Sequence, residues 1–72
     1  MNRRLKSIIL DIIDTYTPII GGVPIQMLEY HIKHHPHNKG ENYTHEEIGE
    51  ELKSLLHEKK INRDVVAYKK EE

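Results

Sequence analysis

The strongest constraint on the fold is a helix start written out residue by residue and followed by a change of pattern. Thr44-His45-Glu46-Glu47 has the form of a capping box, with Thr44 at the N-cap and Glu47 three residues on. Ile48, Leu52, Leu55 and Leu56 then recur at helical spacing, and Lys59-Lys60 suit the negative end of a helix dipole. A helix is therefore expected over about 44–60. Directly after it, Arg63-Asp64-Val65-Val66-Ala67-Tyr68 has the β-branched and aromatic composition of a strand, giving a β segment over about 63–69.

Two further helices precede this unit. Leu5, Ile8, Ile9, Ile12, Ile13 and Tyr16 share one face of a first helix over about 3–16, expected to stop near Thr17 because the residue before Pro18 is biased away from helical geometry. Pro18-Ile19-Ile20-Gly21-Gly22-Val23 reads as a bend with at most one short strand. Pro24 suits the first turn of a second helix over about 24–34, carried by Ile25, Leu28 and Ile32 and ending before Pro36. A polar loop of eight residues, 36–43, separates it from the third. The fold class is mainly α with a small β element, in one domain spanning 1–72. Val65–Tyr68 is expected to pair with a strand near Ile20–Val23.

This order, and the junction Leu52-Lys53-Ser54-Leu55-Leu56-His57-Glu58-Lys59-Lys60-Ile61 leading at once into a β segment, resembles the winged-helix superfamily in architecture over about residues 5–69. The resemblance implies that 44–60 is the third, DNA-facing helix and that 61–69 is a short wing touching the DNA backbone. It also implies a DNA-associated regulator, with a homodimer as the expected assembly, since 72 residues make a small core.

Charge divides the chain unevenly. The formal net charge is −1, yet residues 41–52 hold five glutamates (Glu41, Glu46, Glu47, Glu50 and Glu51) and no cation. The remaining body is basic. Candidate phosphate contacts are Arg3 and Arg4 at the first helix, Lys53, Lys59 and Lys60 on the third, and Arg63, Lys69 and Lys70 in or beside the wing. The front of the third helix, however, would oppose phosphate through its carboxylates. That supports an alternative: a protein-contact module using Glu46, Glu47, Glu50 and Glu51 against a basic partner. Glu46/Glu50 and Glu47/Glu51 are like-charge i, i+4 pairs, mildly destabilising at about 0.2–0.5 kcal/mol each, and so point to an external partner.

Four of the six histidines fall at positions 31, 34, 35 and 37. His31 and His35 are an i, i+4 pair and the only weak metal candidates; residue 32 is Ile, where a zinc-protease helix needs a glutamate. A structural or pH-responsive role is the expectation. With no cysteine, no phosphate-cradling glycine loop and no seated nucleophile, neither enzymatic activity nor a cofactor is expected. No apolar run exceeds four residues, so a cytoplasmic protein without membrane contact is expected.

Overall fold

The computed structural model describes residues 2–63 and 67–71. Three helices, α1 (Arg3–Ile20), α2 (Ile25–His34) and α3 (His45–His57), are followed by an antiparallel hairpin of β1 (Ile61–Arg63) and β2 (Tyr68–Lys70). The hairpin pairs Ile61 with Lys70, Asn62 with Lys69 and Arg63 with Tyr68. Val23 adds a single antiparallel bridge to Tyr68. Its N–H donates to the Tyr68 carbonyl at 2.6 Å, and the Tyr68 N–H donates back at 2.9 Å. Three helices with a small antiparallel sheet are compatible with a winged-helix architecture.

The apolar faces read from the sequence meet in one core. Leu5, Ile8, Ile9, Ile12 and Ile13 of α1 pack with Val23, Leu28 and Ile32, and with Ile48, Leu52, Leu55 and Ile61. Each is at most 3% exposed. Full burial of such side chains contributes about 1.5–3 kcal/mol apiece, so this cluster sets how the helices cross and where the hairpin docks.

Four boundaries differ from the sequence expectation. Helix α1 continues through Pro18 to Ile20. Proline removes one intrahelical N–H, which frees the carbonyl of Asp14, a residue on the exposed side of the helix. The hydroxyl of Thr17 donates to the Ile13 carbonyl at 2.6 Å, a back-bond of the kind that accompanies a bend in a helix. The helix ends instead at Gly21, whose left-handed backbone (φ +85°) lets its N–H donate to the Thr17 carbonyl.

Helix α3 ends at His57 and not at Lys60. Lys59 takes φ +60°. The Lys59 N–H donates to Leu56 O and the Lys60 N–H to Leu55 O, the paired bonds of a Schellman turn. That turn redirects the chain so early that the first strand starts at Ile61, two residues before the expected 63. The strand partner expected near Ile20–Val23 is reduced to Val23 alone, against Tyr68; Val65 and Val66 lie outside the described residues. Pro24 is the N-cap of α2, one residue outside the helix.

Candidate nucleic-acid interface

The capping box at α3 forms as read. The Thr44 hydroxyl accepts the Glu47 N–H at 3.1 Å, and Glu47 Oε1 accepts the Thr44 N–H at 2.9 Å. At the other end, α3 feeds the hairpin through the Lys59 turn. Helix α1 lies alongside: Asn2 caps it by accepting the Leu5 N–H at 2.9 Å, and Lys6 donates to Ser54 Oγ at 3.0 Å and to Glu58 Oε2 at 2.7 Å. The ammonium of Lys6 and the hydroxyl of Ser54, which also donates to Glu58, hold the Glu58 carboxyl well below its ordinary 4.5, at about 2.

These contacts sort the charged candidates. Lys53, Lys59, Arg63 and Lys70 are exposed, and none is paired with a carboxylate among the described residues. Lys60 is also exposed but lies 3.6 Å from Glu58, so part of its charge is balanced within the fold. Arg63 is steered by its cross-strand neighbour, with its guanidinium carbon 5.7 Å from the centre of the Tyr68 ring. Residues directly opposed in a hairpin share a face, so Arg63 lies with Tyr68 and Lys69 lies with Asn62 on the other face. Lys69 is half-buried beside Thr17 and Gly21. Arg3 and Arg4 are exposed at the start of α1.

The four acidic candidates are not equivalent. Glu46 and Glu50 are exposed on the front of α3. Glu47 is exposed but spends one oxygen on the cap. Glu51 departs from the expected outward front: it is 6% exposed, and its Oε2 accepts the Asn2 N–H at 3.0 Å. Between α3 and the hairpin, on the side away from Glu51, Ile25, His45, Gly49, Leu52, Arg63, Ala67 and Tyr68 line a shallow, mainly apolar groove of about 450 Å³.

The histidines are largely engaged in local contacts. His35 Nε2 lies 2.7 Å from Asp11 Oδ2, while its Nδ1 accepts the His37 N–H at 3.1 Å, so both ring nitrogens are occupied. With Nδ1 accepting, the proton of a neutral ring sits on Nε2 and donates to Asp11. His31 stacks on Tyr16 at 4.6 Å between ring centres. Among the described residues, no three histidine or carboxylate side chains are arranged to hold a metal ion. His45 pairs with Glu29, clamping the start of α3 to α2.

Two structural residues were hidden in the sequence. Asn2 was legible only as a residue type that caps helices. Asn38, 2% exposed, anchors the 36–43 loop by donating to the Ile32 carbonyl at 2.6 Å; nothing in local spacing marks that long reach. Compared with models of known protein families, with curated proteins and with solved structures, the chain matches none. Among the described residues, no helix is long and apolar enough to cross a membrane.

Proposed function

We propose that this domain is a DNA-associated regulator that holds duplex DNA by phosphate contacts from Lys53, Lys59, Arg63 and Lys70. One observation carries the reading: the C-terminal half of α3 and the hairpin present these cations without a carboxylate partner among the described residues, while Glu47 is tied to the cap and Glu51 is buried. The two carboxylates exposed on the helix front, Glu46 and Glu50, stand in the N-terminal half of the helix. The backbone at Lys59 adds support. Glycine would sit at its left-handed φ with about 1–2 kcal/mol less strain, yet a cation occupies it. Contacts of this kind position a protein on DNA without reading its sequence.

The test is a paired substitution series against one duplex. Lys53→Ala with Arg63→Ala should weaken binding to all sequences alike and reduce the salt dependence by about two contacts. Glu50→Gln should be neutral or strengthen binding, because it removes a repelling charge. The rival reading, contact with a basic protein through the α3 front, draws on the exposure of Glu46 and Glu50, neither of which makes an ion pair among the described residues. It predicts the reverse ranking, with Glu46→Gln and Glu50→Gln disruptive and the hairpin substitutions silent.

A further inference from the structure

The connection from α2 to α3 is held at its two ends by histidines that use opposite kinds of ring nitrogen. At the entry, His35 Nδ1 accepts the His37 N–H at 3.1 Å, while Nε2 lies 2.7 Å from Asp11 Oδ2. Nδ1 accepts only while it carries no proton, so the bond to His37 exists in the neutral ring alone. At the exit, His45 Nδ1 faces Glu29 Oε2, which can only accept. His45 therefore donates there, and a second proton on its other nitrogen leaves that bond in place. Protonating His35 is different: it sets two N–H groups against each other across 3.1 Å.

The groups around the ring do not cancel that conflict. Asp11 and Tyr16 of α1, His31 and His34 of α2, and His37 of the connection share its cavity, and the His37 ring centre is 5.3 Å away. Asp11 is the one carboxylate in this set of described residues. Its side chain is 63% exposed, so solvent screens its attraction for an imidazolium, and it keeps its bond to Nε2 in either state. Each neighbouring imidazole that gains a proton adds repulsion. Just beyond, the chain is held by bonds that involve no titrating atom: the Asn38 N–H donates to the His35 carbonyl at 3.0 Å, and Asn38 Nδ2 to the Ile32 carbonyl at 2.6 Å. Pro36 and His37 alone lie between the C-cap of α2 and this anchor.

We propose that His35 is a proton-operated latch: its neutral ring holds Pro36 and His37 in place, and uptake of a proton at Nδ1 releases them. Histidine is the side chain suited to this, because its charge changes in the physiological range. Pro36 and His37 wall a cavity of about 380 Å³ that Ile12 and Tyr16 also line, so release opens that cavity to solvent. None of the proposed phosphate contacts lines it, and the latch is independent of the DNA reading.

The test is NMR of the full chain between about pH 7.5 and pH 5, an interval in which ordinary carboxylates stay mostly charged. Ring nitrogen shifts should show His35 as the Nε2–H tautomer at the upper pH. As His35 gains its proton, the His37 amide should lose protection about two- to tenfold after correction for intrinsic exchange, the worth of one ordinary hydrogen bond. The Asn38 and Glu47 amides should stay as they are. A neutral gadolinium chelate should broaden the Ile12 methyl signals more at the lower pH than at the upper. His35→Asn keeps an acceptor near the place of Nδ1 but cannot titrate, so His37 should stay protected throughout. His37→Ala keeps the backbone N–H, removes the neighbouring ring and should still release; should His35→Asn unfold, this variant and the tautomer decide. The inference is overturned if His35 is the Nδ1–H tautomer, if the His37 amide does not follow the His35 titration, or if Asn38 loses protection with it. Equal shielding of Ile12 at both ends of the range, release in His35→Asn, or no release in His37→Ala would overturn it as well.

Discussion

Gly22 lies where the chain between α1 and α2 passes closest to the hairpin, and replacing it with alanine probes how firmly that hairpin is docked. A Cβ built there would stand 3.0 Å from the Ala67 Cβ and 3.4 Å from the Tyr68 carbonyl oxygen. The first contact is about 0.5–1 Å inside ordinary carbon–carbon separation. Ala67 has no side-chain torsion with which to retreat, so relief requires the backbone to move. The Tyr68 oxygen accepts the Val23 N–H, and any retreat of the hairpin lengthens that bond. Overpacking of this kind costs about 1–3 kcal/mol. Loss of glycine freedom in the unfolded chain returns about 0.4–1 kcal/mol, because the backbone of Gly22 lies outside the positive-φ region and alanine can adopt it. The net expectation is a destabilisation of about 0.5–2 kcal/mol. With a urea slope of about 1 kcal/mol/M for so small a domain, the midpoint should fall by about 0.5–2 M. Ala67→Gly in the same chain removes the clash, and the double-mutant cycle should show coupling of about 0.5 kcal/mol or more. A stabilised Gly22→Ala protein with no coupling to Ala67→Gly would refute the close approach.

Three further expectations follow from particular contacts. Thr44→Ala should lower stability by about 0.5–2 kcal/mol in denaturant unfolding with little change in slope, since one half of the capping box disappears; an unchanged midpoint would contradict the cap. Glu58 has a folded-state pKa depressed from 4.5 to about 2, so its contribution is present in full above its unfolded value and is lost as pH falls through that interval. The melting-temperature gap between the protein and Glu58→Gln should therefore shrink from pH 6 to pH 2, and a gap constant with pH would count against the Lys6–Glu58–Ser54 linkage. His35→Ala should destabilise the domain by freeing Asp11 and the His37 N–H, while zinc should leave the melting temperature unchanged; a strong zinc-dependent rise abolished by His31→Ala or His35→Ala would reverse that view.

Local chemistry made the elements readable and tertiary chemistry decided their ends. Thr44 and Glu47 announced α3 because both halves of a capping box are close in sequence, and the isoleucine faces of α1 and α2 follow from helical period alone. Pro18 misled because its effect on α1 depends on whether the freed carbonyl meets water, which is a property of position in the fold. The turn at Lys59 carries none of the usual glycine signal, so α3 ends three residues early without notice. At the charged surface most of the candidate cations are exposed, as residue type suggests, but Lys69 is half-buried beside Thr17 and Gly21. Residue type did not separate Glu46 and Glu50, which face out, from Glu51, which turns inward to the backbone of Asn2, 49 positions away. Pairings at that range, like Lys6 with Glu58 or Asp11 with His35, depend on how helices cross and leave no local pattern.

The most direct measurement of the proposed function is the affinity for a random-sequence duplex as salt is raised from about 50 mM. Four phosphate contacts predict that log K falls linearly with log salt at a slope of about −3 to −4, and that the slope is the same for unrelated sequences. No measurable association at about 50 mM salt, where counterion release favours binding most, would contradict the account.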